Sequence, residues 1–299
     1  MSLMRERLRG VSVRLDRLFF APADPRSYAA VRIGFGIAAL CILIDLWPLR
    51  LHLFADTGLV GGGAGIAPTH GLNLFAWIHS ERAVTAFMAV SGLAMMALIA
   101  GVATRLAAGI VYLWAVSYSG LVTSSVAGYD VLLRLVGFSL LISPVVGTWS
   151  LTRNAAGAPS DTSVPIYGLR LVQWQVFLVY ISTAVLKLGS DDWLSGDLLA
   201  YYWMSLFSRF PHPIFADFGL MTAVAGWFTL AVELTVPFLL WSRRLRWLGV
   251  ALGVTLHVGI AITSKLALFG LAMLALYPAF FETRDFDAIV RRFRRNAPA

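Results

Sequence analysis

The chain has 299 residues, of which 59% are hydrophobic and only 13% charged, with a formal net charge of +8. Its mean hydropathy of +0.76 lies far outside the soluble range and excludes an ordinary water-soluble enzyme. Nucleic acid is not the partner that the positive charge implies, because the arginines cluster at the ends of apolar stretches, where membrane topology puts them. The composition predicts an all-α integral membrane protein, held in the lipid bilayer as one domain.

In chain order, residues 1–27 form a basic, amphipathic segment in which Arg5, Arg7, Arg9, Arg14 and Arg17 interleave with Leu8, Val11, Leu15 and Leu18. It lacks the apolar core and small-residue cleavage site of a signal peptide and reads as a helix on the inner membrane surface. Residues 28–283 form the transmembrane domain, and 284–299 a basic cytoplasmic tail. The domain is predicted as a polytopic bundle of about eight transmembrane helices: 28–51, 83–101, 106–126, 130–146, 166–188, 220–241, 247–263 and 266–281. The fourth is short, and only Ser264 and Lys265 separate the last two, so these spans are open to being broken or tilted helices. No internal repeat is visible, which speaks against an inverted-repeat carrier. Cys41, the single cysteine, lies in the first span and excludes an intrachain disulfide.

Orientation follows from the arginines. With the N-terminus inside, sixteen arginines fall on inner segments (for example Arg105, Arg153, Arg243, Arg244, Arg246 and five from Arg284 to Arg295), against Arg50, Arg82, Arg209 and Lys265 outside. This imbalance predicts a multi-pass protein of the cell membrane with both termini cytoplasmic. The outer segment 51–82 carries a glycine run at 61–65 and three histidines, His52, His70 and His79, whose spacing matches no zinc pattern, so no metal is expected. The outer segment 188–219 contains LLAYYWMSLF, which reads as an aromatic interfacial helix.

The most informative stretch is 166–196. Gln173, Tyr180 and Lys187 are spaced by seven and fall near one stripe of a helix, which then breaks into the loop Asp191-Asp192-Trp193-Leu194-Ser195-Gly196. Lipid offers such a stripe no partners, so it should face protein or water. By depth, Lys187, Asp45, Asp130 and Arg134 fall in the outer layer, Arg32 and Arg170 in the inner layer, and Glu233 and His257 between. Each has a plain structural reading: snorkelling for Lys187, Arg32 and Arg170, a structural pair for Asp130 and Arg134, a hydrogen-bonded core residue for His257. Several ionisable groups converging inside a bilayer nevertheless point to function.

The residues Gln175, Phe177, Val179, Tyr180, Lys187, Leu188, Asp192, Trp193 and Gly196 resemble a motif of the vitamin K-dependent gamma-carboxylases and, more closely, of their bacterial relatives, the horizontally transferred transmembrane (HTTM) domain proteins. The resemblance extends to Phe19 through Gly36, Asp56 with Gly58, Asp130 with Arg134, Glu233 with Pro237, and His257. It implies that Lys187 is a general base acting on a quinol-like cofactor or other lipophilic small molecule, in the manner of vitamin K hydroquinone. Asp130 and Arg134 would set its field, and Tyr180, Gln173, His257, Glu233, Trp193 and Asp45 would line the pocket. The chain departs from the carboxylases in having no histidine at 128–130 and no room for their large lumenal domain, so protein gamma-carboxylation is not implied. Some relatives assist maturation of secreted peptide toxins, which implies the alternative of a non-catalytic membrane partner for a secreted peptide or protein. A small-molecule carrier is the third reading.

Overall fold

The computed structural model describes residues 16, 18–58, 73–121, 128–144, 147–152, 163–212 and 217–295. Most of the amphipathic stretch 3–20, the glycine run, His70 and Arg153 lie outside the described residues. The chain divides into two compact units, Met1–Gln173 with Pro278–Ala299, and Trp174–Tyr277.

In the first unit, helix α1 (Pro25–Leu46) starts where Asp24, as N-cap, accepts from the Arg26 backbone amide at 2.8 Å and Pro25 supplies the fixed φ of a first turn. A short turn of 3-10 helix leads into α2 (Arg50–Phe54). Helix α3 (Glu81–Ala100) begins at the Ser80 cap and ends at Gly101, where a φ of +76° and the 2.7 Å that would separate an added Cβ from Ser150 Cβ require glycine. Helix α4 (Thr104–Leu121) and helix α5 (Gly128–Ile142) follow. Strands β1 (Pro22–Ala23) and β2 (Val164–Pro165) pair antiparallel, Pro22 opposite Pro165. Helix α12 (Thr283–Arg295) closes the unit, with Arg26 bridging Asp24 and Asp287.

Arg32 does not snorkel. It is 5% exposed and donates to the carbonyls of Leu98 (2.5 Å), Ile99, Thr148 and Trp149 (3.0 Å), thereby satisfying acceptors that the end of α3 leaves open.

The second unit takes most of α6 (Tyr167–Leu188), then α7 (Asp191–Ser195), α8 (Asp197–Met204), α9 (Gly219–Trp241), α10 (Arg246–Thr263) and α11 (Ala267–Leu274). Ser190 caps α7, and Gly196 links α7 to α8 with a φ of +89°. A Cβ at Gly196 would sit 2.3 Å from the Ala223 amide nitrogen, so only glycine allows this loop to lie against α9. The C-terminal carbonyls of α10 are closed by the 208–209 turn: Arg209 N donates to Thr263 O at 3.1 Å and Arg209 Nε to Ala261 O at 2.7 Å.

Among the described residues, five helical segments are long and apolar enough to cross a membrane: Pro25–Phe54, Glu81–Ala100, Tyr167–Leu188, Gly219–Trp241 and Arg246–Thr263. The expected count of about eight is not reproduced. Helix α4 ends at Leu121, next to residues outside the description, and α5 has only 15 residues. A helix of that length rises about 22 Å, short of a hydrocarbon core of about 30 Å. The eighth region is an 8-residue helix, α11, followed by a 3-10 turn over Tyr277–Phe280.

Candidate functional site

The second unit holds a cavity of ≈ 390 Å³ walled by α6 to α11, with Val179, Leu199, Phe228, Ile260, Phe269 and Met273 among its apolar lining. That volume falls within the roughly 300–1,000 Å³ usual for small-molecule sites. Five residues singled out in the sequence line it: Tyr180, Lys187, Trp193, Glu233 and His257.

Lys187, on the last turn of α6, forms an ion pair with Glu233 of α9, and its Nζ stands 4.9 Å from the centroid of the Trp193 ring. The side chains are 22% and 9% exposed, so the pair sits in surroundings where either charge alone would be costly. Only Oε1 of Glu233 is used. Thr183 stands beside the carboxylate, but its hydroxyl donates to the Val179 carbonyl at 2.8 Å. Oε2 is buried without a hydrogen-bond partner. Four residues beyond Glu233, Pro237 interrupts α9 and cannot donate to the Glu233 backbone carbonyl.

On the cavity's second polar edge, Tyr180 links two groups. Its hydroxyl lies 2.8 Å from His257 Nε2 and 2.5 Å from the Tyr277 hydroxyl. Two proton arrangements satisfy this chain. Either Nε2–H donates to Tyr180, leaving Nδ1 an acceptor, or Tyr180 donates to Nε2 and Nδ1 carries the proton. His257 Nδ1 is buried without a partner, as are Trp193 Nε1 and Tyr202 OH. With Glu233 Oε2, four side chains that line the cavity therefore each carry a buried polar atom without a hydrogen-bond partner. Native interiors leave few such atoms, so their concentration in one cavity marks it out.

The other sequence candidates, Gln173, Asp130, Arg134 and Asp45, belong to the first unit. Gln173 accepts from Arg170 Nη1 at 2.8 Å and donates to Ala279 O at 2.7 Å, within the first unit, so the stripe divides after its first member. Asp130 is buried in the first unit, where it accepts a hydrogen bond from the Tyr118 hydroxyl. Arg134 lies on the same helix, half-buried, and Asp45 is exposed. Among the described residues, no group of three or more His, Cys, Asp or Glu side chains gathers in a way that could hold a metal. The sequence reading missed Tyr277, Tyr202 and Thr183. Of these, only Tyr202 left a signal, in the aromatic run before the 208–209 turn.

A multi-pass helical membrane protein, with a charged pair set in an apolar cavity, is the class that these features define. The chain belongs to the HTTM domain family, whose match runs over residues 20–284. It is also similar to sporulation-delaying protein SdpB of Bacillus subtilis, at 23% identity over 156 aligned residues, which cover 46% of this chain and 46% of that protein. The chain thus matches about half the length of this curated relative. No solved structure matches it.

Proposed function

We propose that this protein is a membrane enzyme that removes a proton from a lipophilic, quinol-like molecule bound in the cavity, with Lys187 as the base. The observation that carries the reading is the Lys187–Glu233 pair, set into an apolar cavity with Oε2 of Glu233 unengaged. An ammonium has no lone pair to accept a proton. Passing its proton to Glu233 turns the ion pair into an amine and a carboxylic acid without changing the net charge of the site. The amine nitrogen then accepts the proton of a ligand hydroxyl, and the electrons of the broken O–H bond stay on the ligand oxygen. Trp193 holds Lys187 through its ring face. Asp130, Arg134, Gln173 and Asp45 take no part in this step. Both termini face the cytoplasm in this reading, and the protein lies in the cell membrane.

The test supplies a polyprenyl hydroquinone to the purified protein in nonionic detergent and follows its ultraviolet spectrum in air for the ionised or oxidised ring. Conversion by wild type that is lost in Lys187→Arg and Glu233→Gln supports the reading; no conversion by wild type overturns it.

A second reading is a membrane partner for a secreted peptide. It is favoured by the similarity to SdpB, by that protein's name a sporulation-delaying protein, and by the exposed apolar side chains Tyr201, Leu206, Phe207 and Phe210 in and after α8. A secreted peptide crosslinked to this segment in cells, with the lysine dispensable, is what that reading requires.

A further inference from the structure

The first unit holds a recess of its own, whose chemistry does not depend on the reaction proposed for the second. It lies where α3 ends and α4 begins, against residues of α1 and α5. Its volume of ≈ 30 Å³ gives room for about two water-sized oxygens. Two arginines, Arg32 and Arg105, line it, and no carboxylate does.

Arg32 is buried, and among the described residues its guanidinium meets four carbonyls but no Asp or Glu. Carbonyls satisfy its hydrogen bonds without cancelling its charge, and the negative end of α3 offsets only about half of it. Arg105 is exposed and, among the described residues, has no ion-pair partner. The hydroxyls in the lining bring no negative charge either: Tyr28 donates to Pro165 O at 2.7 Å, and Ser143 donates to Ser139 O.

The start of α4 adds to the positive field. Its first helical bond runs from the Ala107 amide to the Ala103 carbonyl at 3.0 Å, so the amides of Thr104, Arg105 and Leu106 precede the ladder. Ala103, at φ +43°, has no side-chain oxygen with which to cap them. A helix start without a cap favours an anion.

We propose that this recess binds a phosphate group, with two of its oxygens inside. Arg32 supplies the buried charge, and Arg105 and the first amides of α4 supply the donors. The phosphate comes from a phospholipid head or from the free ion. The apolar surface beside the site, Leu98 and Leu141 in the lining and Leu106 at 68% exposure, suits the lipid. In the orientation proposed above, this end of α3 and α4 faces the cytoplasmic leaflet, where anionic lipids lie.

Three probes test it by native mass spectrometry of the full chain in nonionic micelles: dioctanoylphosphatidylglycerol, dioctanoylglycerol and inorganic phosphate. Wild type should bind the phospholipid at least about tenfold more tightly than dioctanoylglycerol, which has the same chains and no phosphate. Arg105→Gln should weaken the phospholipid about tenfold. Arg244→Gln, at another exposed arginine in the second unit, should leave it unchanged. Arg32→Gln would also undo the clamp on α3, so Arg105 carries the test. Phospholipid binding that survives about a hundredfold excess of inorganic phosphate identifies the lipid as the source. Displacement by inorganic phosphate, with the ion's own binding lost in Arg105→Gln, identifies the free ion. Equal binding of the two glycerolipids overturns the proposal. So does an equal loss in Arg105→Gln and Arg244→Gln, which would reduce the site to diffuse attraction between arginines and lipid.

Discussion

The Tyr277 hydroxyl occupies the space in which a side chain at Gly253 would begin. A Cβ built on Gly253 would lie 1.8 Å from that oxygen and 2.7 Å from Tyr277 Cζ. This glycine in the middle of α10 is what lets Tyr277 reach across to Tyr180 and complete the chain to His257. Gly253→Ala should therefore displace the tyrosine and destabilise the protein by about 1–3 kcal/mol, the usual cost of overpacking. Tyr277→Phe in the same chain should recover part of that loss, because it removes the nearest clashing atom. Melting temperatures of wild type, the two single variants and the double variant in detergent measure the coupling, and strictly additive shifts would refute it.

The Lys187–Glu233 pair gives the second prediction. Removing one partner leaves the other charge buried and should cost on the order of 3 kcal/mol, the low end for buried pairs because Lys187 keeps 22% exposure. Lys187→Met combined with Glu233→Leu should regain most of it, since an apolar pair suits the apolar lining. A double variant as unstable as the sum of the singles would show that the two groups do not compensate each other.

Much of this cavity could be read from the sequence, and the reason is physical. A charge inside a membrane span is expensive, so Lys187, Glu233 and His257 stand out against an apolar background, and a period of seven connects Tyr180 to Lys187. Which charge meets which could not be read, because pairing across helices depends on rotation and depth. Lys187 was expected beside Asp130 and Arg134; its ion-pair partner is Glu233. Gln173 obeys the same period, yet it bonds Arg170 and the Ala279 carbonyl. The expected number of spans was not reproduced among the described residues, because hydropathy measures apolar length and not helix length. At 130–146 the apolar run outlasts the helix, which stops at Ile142. Tyr277 left no trace, since its role follows from a glycine in another helix.

Asp24 makes folding sensitive to acid. Burial raises its carboxyl, but hydrogen bonds from the Arg26 backbone amide and guanidinium outweigh this and hold it below the usual aspartate value. A depressed carboxyl contributes stability that is present above the unfolded value, near 3.8, and disappears as pH falls through the folded one. Asp24→Asn keeps an acceptor for the helix cap but should lose the carboxylate's share of stability at neutral pH and so flatten this acid limb, while Asp24→Ala should cost about 1 kcal/mol more through the lost cap. Unfolding followed at a series of pH values separates the two. An unchanged acid limb in Asp24→Asn would assign it to other carboxyls.

The orientation is testable without knowledge of the substrate. With the arginine-rich segments inside, Ser80 and Ser190, which cap α3 and α7, face outward. Cysteines at these positions in a Cys41→Ala background should react with an impermeant maleimide in intact cells. A cysteine replacing Arg105, in the first turn of α4, should react only after permeabilisation. The reverse pattern would invert the topology.

The sharpest test of chemistry is Lys187→Arg. Arginine keeps the positive charge beside Glu233 and the cation over the Trp193 ring, so the structural role of the lysine should survive. Its guanidinium, however, does not give up its proton under physiological conditions and cannot become the neutral base. The variant should fold and melt near wild type while hydroquinone conversion is lost and the cellular phenotype of the deletion is reproduced. Stability has to be measured beside activity, because Lys187→Met would confound the two by leaving Glu233 unpaired. Full activity in Lys187→Arg would mean that the ion pair is wanted for its charge and shape alone, and would put the membrane-partner reading ahead of the enzyme.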